Sequence, residues 1–285
     1  MLGPLPSICA CTVPSMPVSA AQEIVTGAAY VAQITARESD RRTRSAFQRL
    51  VLRTLRPGGA LFDFGAGPGI DARFYAENGY TVAVYDVDLR MREFFAAHCR
   101  ELIEAGRVTV DGGDYREFLA NKGAEGVRDI DLVTSNFAPL NLIDDLHELF
   151  AKFHALTGPN GRVLASVLSP YFIGDLKYAW RWRNSLRLWR DGRFSVRGAQ
   201  APIVRRRIAD FAAQSAPYFT LKRVFRGLPS SKERDAAGVD PNGRSLSVAL
   251  HVSTCQFMFL LFEKRQLGAG PGNRSSNCGP GPSSI

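Results

Sequence analysis

The sequence predicts an α/β fold, in which a mostly parallel sheet carries helices on both faces. Short apolar runs, typical of buried strands, alternate with longer segments of helical periodicity along most of the chain. Three glycines at alternate positions, Gly65, Gly67 and Gly69, join the first of these runs to a helical segment. With 285 residues, 45% of them apolar, the chain can bury the core that one α/β domain needs.

The segment before the glycines predicts a helical layer. Residues 1–20 contain four prolines and show no periodicity, so we expect a disordered leader. Two helices are predicted within residues 21–57, over 21–37 and 40–55, and Pro57 with the two glycines after it ends the second one.

The stretch from Ala60 to Asp86 is predicted to form a ligand-binding strand, turn, helix and strand. Its second strand, Thr81 to Tyr85, ends in Asp86, and an acid about 20 residues along such a unit meets ribose hydroxyls. Asp63, inside the first strand, would repel a pyrophosphate and orient a cationic ligand. A dinucleotide fingerprint, G-x-G-x-x-G, would place its third glycine at Ile70, so the glycine spacing disfavours a nicotinamide cofactor.

The run Asp63-Phe-Gly65-Ala66-Gly67-Pro-Gly69, followed by Asp86, resembles the first motif of the class I S-adenosylmethionine-dependent methyltransferases. The resemblance implies a methyltransferase with S-adenosyl-L-methionine as cofactor, whose methionine part the glycine loop wraps and whose ribose Asp86 binds. It also implies seven strands with strand seven antiparallel, and a helical cap formed by residues 21–57. The implied cofactor-binding residues are Asp63, Gly65, Ala66, Gly67, Gly69, Asp86, Val87, Met91, Asp114, Tyr115, Asn136 and Phe137.

The residues that would contact the adenine of the cofactor come after the second strand in the sequence. The resemblance places Val87 and Met91 against the adenine ring and Asp114 on its amino group, after a third strand over 107–110. The alternative for Asp114 is a plain Asp-Gly turn. His98 falls on the core-facing apolar stripe of the helix between these strands, so we interpret it as a packed histidine and not as a catalytic one.

Strand four, predicted over 130–135, leads into Asn136 and Phe137. Ligands of open parallel sheets bind beyond the carboxyl ends of the strands, so both residues are expected to face the reacting methyl group. Residues 136–139 read Asn-Phe-Ala-Pro, which distantly resembles the Asn-Pro-Pro-Tyr loop of amino-group methyltransferases but departs too far from it to imply a nitrogen acceptor. Oxygen, nitrogen and carbon acceptors stay open, and so does a simple turn role for Asn136. Methyl transfer needs mainly alignment, so no general base is assigned.

A helix over 144–156 and strand five over 162–168 precede a helical insertion, residues 170–204. Helical spacing there places four apolar residues on one stripe, Tyr178, Trp182, Leu186 and Trp189, beside a stripe of Arg183, Arg187 and Arg190. The insertion would close over a small molecule, bind nucleic acid or rest on an anionic membrane; alternatively, its tryptophans are core and its arginines solvated. The candidate substrate contacts are Tyr30, Asn141, Trp182 and Arg183.

The remaining chain predicts a helix over 207–215 and strands over 218–225 and 246–262, the latter broken near Cys255. We expect one domain over 21–264 and a disordered tail over 265–285, which is rich in Gly, Pro and Ser.

The charge, the cysteine spacing and the apolar runs of the sequence favour some classes of function over others. The net charge is +9, and residues 177–207 alone hold nine arginines and one lysine against a single aspartate. The five cysteines lack metal-ligand spacing, so no metal site is expected. No apolar run suits a membrane span and no secretory signal is evident, which predicts a cytoplasmic protein. A small-molecule acceptor is favoured over the alternative, an RNA-directed methyltransferase or a non-catalytic nucleic-acid-binding module. Nothing indicates an oligomeric state.

Overall fold

The computed structural model describes residues 31–32, 36–121, 129–172, 180–197, 202–225, 252–253 and 255–266. The expected leader, Tyr30, most of the predicted helix over 21–37 and nearly all of the expected tail lie outside these residues. Among the described residues, no helix is both long enough and apolar enough to cross a membrane.

The described helices and strands alternate along the chain. The helices are α1 (Glu38–Thr54), α2 (Ile70–Glu77), α3 (Leu89–His98), α4 (Arg100–Glu104), α5 (Tyr115–Ala120), α6 (Leu146–Leu156), α7 (Trp180–Asp191) and α8 (Ile208–Ser215), with a 3-10 turn at Pro139–Asn141. The strands are β1 (Ala60–Phe64), β2 (Thr81–Tyr85), β3 (Val108–Asp111), β4 (Ile130–Ser135), β5 (Thr157–Leu168), β6 (Tyr171–Phe172), β7 (Arg193–Arg197), β8 (Pro202–Arg206), β9 (Phe219–Phe225), β10 (Val252–Ser253) and β11 (Phe257–Lys264).

Seven of these strands form one sheet in the order β3-β2-β1-β4-β5-β11-β9. The first five are parallel, and β11 runs antiparallel to both of its neighbours. This arrangement confirms the predicted fold class. The strand order reverses direction between β1 and β4, so the carboxyl ends of these two strands frame a crevice where open α/β sheets bind ligands.

Each face of the sheet is covered by its own apolar core. Phe62 and Phe64 of β1 point to one face, where Phe64 meets Phe153 of α6 with ring centroids 5.4 Å apart. Leu61 points to the other face, in the same cluster as Phe47 of α1. The period-2 alternation along β1 therefore places helices on both sides of the sheet, as expected.

The segment between β5 and β9 contains a two-stranded unit that the sequence pattern did not reveal. Strands β7 and β8 pair antiparallel, and the Arg206 guanidinium in β8 donates to the carbonyls of Ile143 and Asp144 over 2.5 and 2.6 Å. The Asn141 amide donates to the Val204 carbonyl over 2.7 Å. These bonds fasten β8 to the loop that follows β4, at the carboxyl edge of the sheet.

The helical segments differ from the sequence predictions at two places. The helix after β2 breaks at Cys99 into α3 and α4, and His98, at the end of α3, is half-buried and packs against Phe94 with ring centroids 5.8 Å apart. In α7 the core interpretation fails for Leu186 and Trp189, which are 65% and 62% exposed, whereas Leu188 is buried. The predicted break near Cys255 is confirmed, since β10 ends at Ser253 and β11 begins at Phe257.

Candidate active site

The glycine loop between β1 and α2 lies at the crevice of the sheet. Gly65, Gly67 and Gly69 have φ values of 74°, 53° and 85°, in the left-handed region that favours glycine. A Cβ on Gly65 would lie 2.5 Å from Pro139, and one on Gly69 would lie 2.7 Å from Phe95. Those two glycines are required by packing. In the described part of the chain, Gly67 has no atom within 4 Å of its Cβ position, so its face is open to a ligand.

Asp86 links this loop to the end of β2. Its Oδ2 accepts a 2.7 Å hydrogen bond from the Gly67 backbone N–H, and its Oδ1 accepts a 2.9 Å bond from the Asp88 N–H. Burial raises the pKa of the Asp86 carboxyl, and the two backbone bonds oppose that rise by stabilising the ionised form. The structure thus places the predicted ribose-binding acid directly against the open glycine of the loop.

Asp63 is buried inside β1, only 2% exposed. Its Oδ1 accepts a 2.8 Å hydrogen bond from the Thr134 hydroxyl on the neighbouring strand β4. Burial, reinforced by the nearby Asp71 carboxylate, raises the pKa of Asp63 to about 7. A cation beside this buried carboxyl would strongly stabilise its ionised form, which suits the predicted contact with a positively charged ligand.

A buried cluster that the sequence reasoning missed surrounds Asp71, the second residue of α2. Asp71 accepts hydrogen bonds from Arg44 at 2.5 Å, Gln48 at 2.8 Å and the Asn136 amide at 3.0 Å. A usable signal was present, because Arg44 and Gln48 lie at helical spacing from the buried Phe47 and Val51 of α1. The cluster joins α1, α2 and the end of β4.

The two residues after Asn136 have strained backbones. Phe137 and Ala138 have φ values of 62° and 66°, which cost non-glycine residues about 1–3 kcal/mol each. The Phe137 N–H donates to Asn136 Oδ1 over 2.9 Å, and the Ala138 N–H donates to the Ser166 carbonyl over 3.0 Å. Asn136 therefore does bond its own turn, and it also reaches Asp71; its contact with ligand stays a prediction.

The Phe137 ring is held from two sides. The Arg44 guanidinium lies 4.6 Å from its centroid, and the Phe257 ring at the start of β11 meets it edge-on at 5.5 Å. Strained backbone maintained by surrounding contacts is typical of ligand sites.

On the predicted adenine side the residues differ in accessibility. Met91 is buried and Val87 is 61% exposed. Asp114 caps α5, since its Oδ1 accepts from the N–H groups of Arg116 and Glu117 at 2.8 and 2.9 Å, which leaves Oδ2 as the oxygen for an adenine amino group. The Tyr115 hydroxyl is buried and has no hydrogen-bond partner among the residues that the structure describes. Contact of these residues with adenine stays a prediction.

The predicted substrate contacts are not brought together by the described residues. Asn141 is fully buried, and its amide both donates to the Val204 carbonyl and accepts from the Leu168 N–H at 3.0 Å, so it braces the backbone. Trp182 and Arg183 lie within α7, but their side chains are outside the described part of the structure, as is Tyr30. Within the described ranges, no group of three His, Cys, Asp or Glu side chains is placed to hold a metal ion.

Comparisons with known proteins agree with this geometry. A family model described as a methyltransferase domain matches residues 36–205, more than half of the chain. No curated protein matches the sequence.

Several solved structures share the fold at low identity. The 1,6-didemethyltoxoflavin-N1-methyltransferase of Burkholderia thailandensis is 18% identical, with a TM-score of 0.52 over 83% of this chain and 86% of that chain. A protein of Listeria monocytogenes described as an S-adenosylmethionine-dependent methyltransferase is 15% identical, with a TM-score of 0.52 over 78% and 98%. The geranyl diphosphate C-methyltransferase of Streptomyces coelicolor is 13% identical, with a TM-score of 0.50 over 78% and 76%.

The family model covers the glycine loop and Asp86, which carried the resemblance in the sequence, and also Asn136 and Phe137, which that resemblance implied as site residues. The chain therefore belongs to the methyltransferase-domain family, and it is a class I S-adenosylmethionine-dependent methyltransferase.

Proposed function

We propose that the glycine loop of this chain holds S-adenosyl-L-methionine, with Asp86 on the ribose hydroxyls and Asp63 directed to the methionine ammonium group. The observation that carries this assignment is the 2.7 Å bond between the Gly67 N–H and Asp86 Oδ2. Because of this bond, the Asp86 carboxyl lies next to the open face of the glycine loop, beside the carboxyl end of β1 in the crevice. Each Asp86 oxygen accepts one backbone N–H and keeps a further lone pair, so a bound ribose could donate its hydroxyls to Asp86 without displacing these bonds.

We further propose that the acceptor is a small molecule whose oxygen, nitrogen or carbon atom receives the methyl group. Two structural neighbours support this class of acceptor. The Burkholderia enzyme was crystallised with 1,6-didemethyltoxoflavin and S-adenosylhomocysteine, and the Streptomyces enzyme with Mg²⁺, a geranyl thiolodiphosphate and S-adenosylhomocysteine.

The chain's own residues would act mainly by alignment. The cofactor supplies a methyl group on a positively charged sulfonium, so no residue has to generate the electrophile. Asn136 and Phe137 follow the end of β4, where the Asn136 amide bonds to Asp71 and the Arg44 guanidinium lies against the ring of Phe137, whose backbone is strained. A rigid aromatic wall at this position would fix the acceptor in line with the methyl group and keep water away, which is where most of the rate gain of such a transfer arises.

A second candidate, an RNA-directed methyltransferase, has one observation in its favour, the exposed arginines Arg187 and Arg190 on α7. It would require affinity for RNA that falls steeply with salt concentration, because phosphate contacts release counterions. A cytoplasmic location stays a prediction.

Isothermal titration with S-adenosylmethionine, S-adenosylhomocysteine and NADH tests the cofactor assignment directly. We expect micromolar affinity for the first two and no binding of NADH. Binding of NADH alone, or of none of the three, would contradict the proposal. The acceptor is then sought by incubating the enzyme with labelled S-adenosylmethionine and mixtures of small molecules, and separately with RNA, and following transfer of the label.

A further inference from the structure

Helix α7 turns two large apolar side chains towards solvent, whereas an ordinary surface helix turns its apolar side chains towards the core. Only Leu188 is buried in the described part of this helix, whereas Leu186 and Trp189 are 65% and 62% exposed. Residues three apart lie on the same face of a helix, so Leu186 and Trp189 form one outward apolar stripe. A surface helix of a globular protein normally turns such a stripe to the core.

Cations flank the same stripe. Arg187 and Arg190 are both exposed, and they follow Leu186 and Trp189 directly in sequence. Arg190 pairs with Asp191 at 2.7 Å, and the further exposed Arg193 on β7 pairs with Asp144 at 3.5 Å, so both charges are partly neutralised, and Arg187 adds a third exposed cation. Residues 177–207 carry a surplus of positive charge as large as that of the whole chain, although Arg205 and Arg206 of that stretch are buried and do not belong to this face. The partner that complements this face is therefore anionic and has an apolar layer.

We propose that this outer face of α7, defined by Leu186, Arg187, Trp189 and Arg190, docks on the surface of an anionic lipid bilayer. Leu186 and Trp189 enter the boundary between headgroups and acyl chains, and the arginines contact lipid phosphates. Helices with Leu and Trp beside basic residues lie in this boundary, and Trp prefers its depth. The inference goes beyond the proposed function and does not depend on the acceptor.

Two other partners fit the face less well. A second copy of the chain would bring two sets of arginines together across a shared interface, at a cost in like-charge repulsion. Single-stranded nucleic acid would bind the arginines and stack on Trp189, but it offers no partner for Leu186, whose aliphatic side chain has no π-face. A bilayer uses all four residues.

The proposal can be tested by co-sedimentation of the full-length protein with lipid vesicles. One set of vesicles contains phosphatidylcholine alone, and the other also contains about 30 mol% of the anionic lipid phosphatidylglycerol. We expect binding to the anionic vesicles alone, weakened by salt. Leu186→Ser/Trp189→Ser should lower the partition coefficient at least about ten-fold, since both side chains lose apolar burial. Arg187→Gln/Arg190→Gln should lower it about 25-fold, because each basic residue near an anionic surface contributes about 1 kcal/mol, or about five-fold.

The controls remove exposed apolar or basic side chains elsewhere on the surface. Val110→Ser removes an exposed apolar residue of β3, and Arg49→Gln/Arg100→Gln removes two exposed arginines of α1 and α4. Both controls should bind vesicles more tightly than the α7 variants. The proposal is overturned if the wild type fails to bind anionic vesicles at low salt, or if the α7 variants bind no more weakly than the controls. Binding to RNA but not to vesicles, lost in the same variants, would overturn it in favour of a nucleic-acid partner. Titration with S-adenosylmethionine checks that every variant is folded and reports on the proposed function separately.

Discussion

The Arg44 guanidinium donates a 2.5 Å hydrogen bond to Asp71 Oδ2 while lying 4.6 Å from the centroid of the Phe137 ring. Both side chains of the ion pair are largely shielded from solvent. One residue of α1 thereby connects the start of α2 with the strained turn after β4. The pair couples the helix beside the glycine loop to the residue predicted to face the reacting methyl group.

Removing one member of this pair should destabilise the protein strongly. Arg44→Met leaves the Asp71 carboxylate buried without its cation, which typically costs about 3–5 kcal/mol of unfolding free energy. Arg44→Met/Asp71→Asn should cost less than the sum of the two single changes. Urea denaturation of all four proteins measures this coupling, and Arg41→Met, an exposed arginine of the same helix, is the control. Equal losses for Arg44→Met and Arg41→Met would contradict the assigned coupling. Arg44→Lys should restore part of the stability, since it keeps the charge but not the fork of donors.

Gly67 and Gly65 should respond differently to alanine. Gly67→Ala meets no atom within 4 Å and carries only the cost of its positive φ, about 1–2 kcal/mol, so the variant should fold. Its new methyl group would occupy the face where the cofactor is proposed to lie, so titration should show a loss of S-adenosylmethionine affinity. Gly65→Ala would clash with Pro139 at 2.5 Å and should lower the melting temperature more than Gly67→Ala does. Undiminished affinity in a folded Gly67→Ala variant would place the cofactor elsewhere.

Asp86→Ala should weaken S-adenosylmethionine binding by about 1.5–3 kcal/mol, the usual worth of hydrogen bonds to a charged group. The dissociation constant would rise about 10- to 150-fold. Glu93→Ala, at an exposed position on α3, should leave the affinity unchanged when both variants are measured by isothermal titration. If the two variants bind equally well, the ribose does not lie at Asp86.

The affinity for S-adenosylmethionine should rise as the pH increases through about 7. The pKa of Asp63 is raised to about 7 by burial, so below that pH the carboxyl is protonated and cannot attract the ammonium group. Binding should then release protons near pH 7, which titration in buffers of different ionisation enthalpy detects. Asp63→Asn should remove this pH dependence. A wild-type affinity that is constant from pH 6 to pH 8, about one unit either side of the pKa, would rule out the contact.

The raised pKa of Asp63 also predicts that the free energy of unfolding falls as the pH rises. The folded pKa of Asp63 lies above its unfolded value of about 3.9, so the folded state holds the proton more tightly. The resulting stabilisation is fully present below pH 4 (about the unfolded pKa) and is lost as the pH rises to about 7. Urea denaturation across this range should show a smaller fall for Asp63→Asn than for the wild type. Parallel pH profiles would count against a buried, titrating Asp63.

Local patterns were sufficient to predict the central part of the fold. Strands β1 and β2 are apolar runs bounded by glycines or an acid, and such boundaries are encoded within a few residues. The contact between Arg44 and Asp71 joins residues 27 positions apart. It depends on how α1 packs beside α2, and that packing cannot be predicted from a local sequence pattern. Strand β8 was missed because Arg205 and Arg206 suggest a solvated segment, whereas Arg206 is buried and its terminal guanidinium nitrogens donate to backbone carbonyls.

The fastening of β8 to the loop after β4 has a consequence for exchanging parts between related enzymes. The proposed cofactor residues all lie between Asp63 and Phe137, whereas β6, α7, β7 and β8 form a later, continuous stretch of chain. That stretch could be transplanted as one cassette to build chimaeras, with junctions after Leu168 and before Ile208. A working chimaera would have to retain an arginine in place of Arg206 and keep the recipient's Asn141, since these two side chains bond β8 to the loop after β4. It would also have to keep a partner strand for β6, which pairs with β10.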